Sequence, residues 1–333
     1  MIFDDVLKII NGRNQKAVEN PNGKYPIYGS GGIMGRADDY ICNAETVVIG
    51  RKGNINKPIF VEEPFWNVDT AFGLEANKSV LLPKYLFYFC VHYDFEKHNK
   101  TVTIPSLTKA DLLKIKIDLP SLGEQQDIVK KLQQIETIIF KRKQELDILD
   151  ELIKARFVEM FGDEKNLMTM SEVCSIITDG THQPPRFTDT GIPFIFVSNI
   201  TGDKVTYDAE KFIDQDTYDE LIKRTPIEVG DVLLSTVGSY GHPAVVRSDK
   251  KFLFQRHIAY LKPRREIINS DYLHGAILSP DAQRQIEEGV KGIAQKTLNL
   301  SEIKKMRIPV PVMNRQKEFA AFVAQVDKSK SVA

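Results

Sequence analysis

Two short runs carry side chains in patterns that could do chemistry. Arg51-Lys52-Gly53-Asn54 puts two cations on a turn directly after an apolar stretch, where basic groups can hold phosphate or donate to acceptor-rich edges. Gly29-Ser30-Gly31-Gly32 lets a backbone without Cβ atoms approach an anion closely. Either run also reads as an ordinary solvated turn. His182 and His242 have no Cys or second His at ligand spacing, so no metal is expected. Cys42, Cys90 and Cys174 are scattered without a CxxC pair, which implies reduced thiols and a cytoplasmic location.

The enzymatic readings fail in detail. Gln183-Pro184-Pro185-Arg186-Phe187 is close to the amino-group methyltransferase motif of the Asn-Pro-Pro-Tyr kind. However, Gln183 stands where Asn or Asp is needed, and Arg186 separates the prolines from the ring. Gly29–Gly35 is not a dinucleotide loop, because Met34 breaks the spacing and no strand–helix unit frames it. Neither a Walker loop nor a GxSxG elbow occurs. Asp163-Glu164-Lys165 follows a helix stop and reads as a linker. No catalytic centre is expected.

These runs must be positioned by something larger. The chain has 333 residues, enough for about two domains, and its 42% hydrophobic and 27% charged residues make it globular. With 45 basic and 45 acidic residues the net charge is +0. That argues against a uniformly basic nucleic-acid binder and leaves room for local patches. Met1–Gly12 lacks the basic n-region of a signal peptide, and no apolar run approaches the ~20 residues needed to cross a bilayer.

An internal repeat organises the chain. Leu107–Ile128 aligns without a gap on Leu298–Phe319, pairing Leu112 with Ile303, Ile117 with Ile308, Pro120 with Pro311 and Gln125 with Gln316, at a constant offset of 191 (311 − 120). Weaker matches precede it in the same order: Val6–Ile10 with Val173–Ile177, Val47–Gly53 with Val232–Gly238, Pro58 with Pro243 and Tyr85-Leu86 with Tyr272-Leu273. Each copy combines short β-rich runs such as Thr46–Gly50 and Val232–Ser235 with helical patterns near Pro83–Val91 and Asp271–Gly289. A long helix follows the first copy, from about Gly123 to Phe161. Ile128, Leu132, Ile135, Ile139, Leu146, Leu149 and Ile153 recur on it at the spacing of a coiled-coil seam, interrupted by Arg142 and Arg156. The second helix starts near Asn314 and carries Phe319, Val323 and Val326 at the same spacing, but it is much shorter.

Two similar mixed domains, each followed by a helix, resemble the specificity subunits of type I restriction-modification systems. The resemblance rests on Leu107–Gln126 with its LPSLGEQQ turn, Arg156–Gly162, Asp179-Gly180-Thr181-His182, Ile192–Ile195, Pro26–Gly32 and Gly50–Gly53. It implies an α+β fold of two similar target recognition domains (mixed α/β), separated by long antiparallel coiled-coil-like helices in a pseudo-two-fold internal repeat. The expected spans are 1–120 and 165–311 for the domains, 121–164 for the long spacer helix and 312–333 for the shorter one. The resemblance further implies a non-catalytic subunit that reads a bipartite sequence in double-stranded DNA and docks two methyltransferase subunits and restriction subunits. No cofactor is expected in this chain. The partner methyltransferase would use S-adenosylmethionine, and the restriction subunit ATP and magnesium. A related system with a fused methyltransferase-nuclease partner and a coiled-coil protein scaffold are the alternatives. Here Asn314-Arg315 replaces the Gly123-Glu124 of the first copy, which makes the two docking surfaces unequal.

Given DNA as the ligand, base-reading and phosphate-holding side chains on the loops are the candidates. In the first domain these are Lys24, Tyr28, Ser30, Gly31, Arg51, Lys52, Asn54, Lys57 and Lys100. In the second they are Thr181, His182, Arg186, Asn199, Ser235, Thr236, Tyr240, His242, Arg256, His257 and Lys296. Ser235–His242 enters because it takes the place of Arg51–Lys57 in the repeat.

Overall fold

The computed structural model describes residues 1–99, 101, 104–292 and 296–332. The chain forms two compact units, Met1–Lys141 and residues 142–333.

The first unit contains α1 (Phe3–Val6), β1 (Leu7–Asn11), β2 (Tyr25–Gly29), β3 (Gly32–Ala37), β4 (Thr46–Gly50), β5 (Ile59–Val61), β6 (Trp66–Asn67), β7 (Ala71–Ala76), α2 (Pro83–His92), α3 (Lys109–Leu112) and the start of α4 (Leu122–Phe161). The main sheet has the order β1-β7-β4-β5 with antiparallel pairs throughout. All five residues of β4 are buried, as its unbroken apolar run requires of a central strand. A smaller sheet, β3-β2-β6, pairs β2 and β6 in parallel. Helix α2 opens on Pro83, whose missing N–H costs nothing in the first turn, and buries Leu86 and Cys90 against the main-sheet core of Ile9, Val47, Ile49, Phe72 and Leu74.

The second unit continues with β8 (Leu167–Thr169), α5 (Met170–Val173), β9 (Cys174–Asp179), β10 (Ile192–Ile195), β11 (Lys211–Ile213), α6 (Gln215–Leu221), β12 (Val232–Ser235), β13 (Pro243–Val245), β14 (Leu253–Phe254), β15 (Ile258–Pro263), α7 (Ser270–Leu278), α8 (Pro280–Gly289), β16 (Val290–Lys291), β17 (Thr297–Leu298), α9 (Leu300–Lys305), β18 (Arg307–Pro309) and α10 (Met313–Val332). Its main sheet, β13-β12-β15-β9, has the strand order of β5-β4-β7-β1, and β11-β10-β14, with β10 and β14 parallel, repeats β3-β2-β6. The repeat therefore extends to strand order and direction. The helical pattern over Asp271–Gly289 is two helices: Pro280 cannot continue α7, and Ser279 Oγ accepts from Ala282 N at 3.3 Å to cap α8.

Helix α4 has 40 residues, about 60 Å at ~1.5 Å per residue. The expected spacer 121–164 is shared between the units, which divide at Lys141. Within the first unit, the face that packs on the domain carries Gln125, Val129 and Glu136, the last accepting from Tyr88 Oη at 2.6 Å. The expected seam differs here: Ile128, Ile135 and Ile139 are 38%, 51% and 50% exposed, and Leu132 is half-buried. The reason is that Gln125 and Tyr88 fix the rotation of the helix through polar bonds that apolar spacing does not record.

In the second unit the end of α4 runs antiparallel to α10. Arg315 Nη2 donates to the Met160 carbonyl at 3.0 Å, the Phe319 and Phe157 rings are 5.3 Å apart, and Lys330 pairs with Asp150 at 2.5 Å. Phe319, Val323 and Val326 are buried, and Leu146, Leu149 and Ile153 half-buried. Arg156 is accommodated because its guanidinium lies 5.8 Å from the Phe322 ring centre and 4.0 Å from Glu318. Among the described residues no helix is long and apolar enough to cross a membrane, and no group of three or more His, Cys, Asp or Glu is placed to hold a metal ion.

Candidate nucleic-acid interface

In the second unit, pairing puts three loops at one end of the main sheet. Asp179, the last residue of β9, lies opposite Ala259, and Ser235, the last of β12, opposite Ile258, the first of β15. The loops after β9, after β12 and before β15 must therefore emerge together. Backbone bonds knit them: Thr181 N to Phe254 O (2.9 Å), Arg256 N to Thr181 O (3.1 Å), Thr236 N to His257 O (2.9 Å) and Leu298 N to Thr236 O (2.8 Å). Gly180 is required at the crossing, because a Cβ there would lie 2.2 Å from the Phe254 carbonyl oxygen.

The first unit builds the same corner. Gly12 N donates to Ala71 O (3.2 Å), Arg13 N to Asn67 O (2.8 Å), Arg51 N to Thr70 O (2.8 Å) and Leu107 N to Arg51 O (2.9 Å). A Cβ on Gly12 would strike the Val68 carbonyl oxygen at 1.7 Å. Arg13 thus takes the place of Thr181, and Arg51 that of Thr236.

The candidate residues divide accordingly. Arg51, Lys52, Asn54 and Lys57 are exposed on the loop after β4. The Ser30-Gly31 turn of the β2–β3 hairpin reaches this loop: a Cβ on Gly31 would be 3.9 Å from Asn54 Nδ2, and one on Gly53 3.9 Å from Ser30 Oγ. Lys24 is not brought in; it lies beside the opposite end of β2, its ammonium 5.2 Å from the Tyr25 ring centre. Tyr28 turns inward onto Phe65, with ring centres 5.3 Å apart, and burial, then Glu63, raises its phenol above the ordinary value. Lys100 lies outside the described residues.

In the second unit Thr181, His182 and Arg186 line one cleft of about 590 Å³. Thr236, Arg256 and His257 line a second hollow together with Asp179. Burial, then Arg256, holds His257 below the ordinary imidazole range. Tyr240 Oη donates to Glu287 at 2.6 Å and Lys296 Nζ lies 3.1 Å from the same carboxylate, so an exposed clamp ties the β12–β13 loop to residue 296.

Three expected contacts are corrected. Asn199 is 8% exposed, and its amide caps the 197–199 turn by accepting from Phe196 N and donating to Asp208 O. Ser235 is fully buried, its hydroxyl accepting from His242 N at 3.0 Å. Thr236 is 4% exposed. The Asn199 and Ser235 side chains satisfy backbone groups inside the fold. The bond from His242 N likewise ties His242 to the loop base, with its side chain half-buried.

Sequence reading missed Arg13, Asp179 as a charged group, and Arg224. Arg224 Nη2 donates to Asp179 Oδ1 at 2.5 Å, while Asp179 Oδ2 lies 2.9 Å from His182 Nε2. The Asp179 side chain is 16% exposed, and the other two are 52% exposed. The corner thus offers directed hydrogen-bond donors beside a cleft.

This repeated fold places donor-bearing loops at the same sheet corner in each copy. The chain belongs to the type I restriction modification DNA specificity domain family, which it matches over residues 3–148 and again over 163–331. It is 24% identical over 324 residues to the type I restriction enzyme EcoBI specificity subunit of Escherichia coli, covering 87% of this chain and 68% of that one. With the MjaVIII specificity subunit of Methanocaldococcus jannaschii it shares 20% identity, covering 86% and 70%. The type I S subunit from M. genitalium has the same fold, with a TM-score of 0.57 at 15% identity over 99% of this chain and 89% of that one. A chain from a structural study of complex assembly and conformational transition of the type I R-M system matches at 0.58 and 17%, covering 100% and 90%. The chain is a specificity subunit, a non-catalytic component of such a system.

Proposed function

We propose that each unit reads one half of a split DNA target, using the loops at the corner of its main sheet. The observation that carries this reading is one backbone corner furnished differently in the two copies. Arg51-Lys52 stands in the first where Thr236-Val237 stands in the second, and Arg13 where Thr181 stands. Equal scaffolds with unequal donors suit two different half-sequences.

The exposed apolar stretch of α4, with Ile135, Ile138, Ile139 and Phe140 at 51%, 64%, 50% and 61%, suits docking of a methyltransferase subunit. A cluster of exposed apolar side chains in water marks an interaction surface. In this reading two methyltransferase subunits join, followed by restriction subunits, in the cytoplasm. The chain itself holds no cofactor; the methyltransferase uses S-adenosylmethionine and the restriction subunit ATP and magnesium. The test is methylome sequencing of cells carrying this chain with its methyltransferase, against cells lacking the chain. A split methylated motif that disappears with the chain is expected. No chain-dependent mark with a soluble, expressed methyltransferase would favour a protein scaffold instead.

A further inference from the structure

We infer that Arg224, oriented by Asp179, reads a guanine in the half-site bound by the second unit; this rests on the DNA-reading role proposed above. Arg224 follows α6 and forms one wall of the cleft whose other wall is the 180–186 loop. Its guanidinium is held on one side only. Among the described residues, its hydrogen bonds and its ion pair are all made by Nη2: to Asp179 Oδ1 at 2.5 Å, with Thr178 Oγ1 and His182 Nε2 each at 3.4 Å. Nη1 takes part in none of these bonds, and a partner that displaced the two 3.4 Å contacts would meet Nη1 and Nη2 side by side; the guanidinium is half exposed at the cleft.

Two acceptors side by side, O6 and N7, are what guanine presents in the major groove. A phosphate fits this arrangement less well. The Asp179 carboxylate offsets the charge of Arg224, which weakens a point-charge attraction, yet it fixes the plane of the donor fork. Arg186 and Lys223 lie on the same cleft and are exposed; they are the groups suited to phosphate. Asp179 is itself held rigidly, because the residue after it is Gly180, pressed on the Phe254 carbonyl, and Gly180 N donates to Ile258 O at 3.1 Å. Arg224 is thus the base-reading group and Asp179 a positioning residue.

The test uses the full chain co-produced with its methyltransferase. Methylome sequencing of wild type, Arg224→Ala, Arg224→Lys and Asp179→Asn is followed by DNA binding of the purified complexes at several salt concentrations. Both Arg224 variants should lose the requirement for guanine at one position of one half-site, with discrimination falling about ten- to hundred-fold. Asp179→Asn should relax the same position by less. The other half-site should stay intact in each variant and so report a folded complex. The assignment is overturned if Arg224→Ala weakens binding equally on all sequences and flattens the salt dependence, which marks a phosphate contact. It is also overturned if Arg224→Lys keeps full discrimination, or if neither half-site contains guanine. Absence of any chain-dependent motif in wild type would instead remove the DNA-reading role itself.

Discussion

Gln316 makes in the second unit the same three hydrogen bonds that Gln125 makes in the first. Gln125 Nε2 donates to the carbonyls of Val80 (2.8 Å) and Pro120 (2.9 Å), and its Oε1 accepts from Leu82 N (2.9 Å). Gln316 Nε2 donates to Ile267 (3.0 Å) and Pro311 (2.8 Å), and its Oε1 accepts from Asn269 N (2.8 Å). Both side chains are fully buried. Each links the start of a long helix to the turn before α2 or α7. Gln316→Ala would strand two carbonyls and an N–H, at about 1–3 kcal/mol for each group left unsatisfied. We expect the second unit to lose at least about 2 kcal/mol in denaturant unfolding, and Gln125→Ala to do the same in the first. A change below about 0.5 kcal/mol would show that water replaces the amide.

Phe319 fills the space that Gly275 leaves open. A Cβ on Gly275 would lie 2.5 Å from the Phe319 ring, which also packs on Phe157, Phe161 and Tyr272. Phe319→Ala should cost about 3–5 kcal/mol. Gly275→Ala should also destabilise, but less when combined with Phe319→Ala, since the smaller side chain makes room. Strict additivity in thermal unfolding would contradict the contact.

His274 is buried, and burial holds its imidazole below the ordinary value of 6.5, Arg247 adding to this while Asp203, Asp271 and Asp327 oppose it. The unfolded chain therefore takes up a proton near pH 6.5 and the folded unit only at lower pH. Stability is full above the unfolded value and falls as pH drops through about 6.5 toward the folded one. Thermal unfolding from about pH 7.5 to about pH 5.5 should show this loss, and His274→Asn should flatten it. An unchanged slope in the variant would assign the loss to other groups.

Arg51→Ala combined with Lys52→Ala removes two of the three exposed cations on the loop after β4, leaving Lys57. Discrimination or affinity at one half-site should fall about ten- to hundred-fold, with the other half-site still read. Equal loss at both, measured by methylation of targets carrying one altered half at a time, would contradict modular reading.

Ile138→Ser with Phe140→Ser alters two side chains that are 64% and 61% exposed. Unfolding should change by less than about 0.5 kcal/mol, as for surface positions generally, while association with the methyltransferase weakens in analytical ultracentrifugation. Unchanged association would place the docking surface elsewhere.

The sequence by itself determined the elements and their duplication. Helix α4 begins at Leu122 and α10 at Met313, in register with the repeated proline–glutamine turn, because caps, prolines and apolar spacing act over a few residues. The β-rich run Thr46–Gly50 is strand β4 as read, since five buried residues in a row suit a central strand. Tertiary structure alone decided which side chains reach solvent. Ser235 and Asn199 look like base readers in the sequence, yet each satisfies a backbone group inside the fold. Ile128, Ile135 and Ile139 share the apolar spacing of a seam, but the Tyr88–Glu136 bond and buried Gln125 rotate α4 so that they face outward. Asp179 and Arg224 are 45 residues apart and meet because strand pairing ends β9 at the corner where the segment after α6 returns. A local pattern encodes which way a strand or helix can bury itself; the partners that complete each site come from distant segments, and only packing selects them.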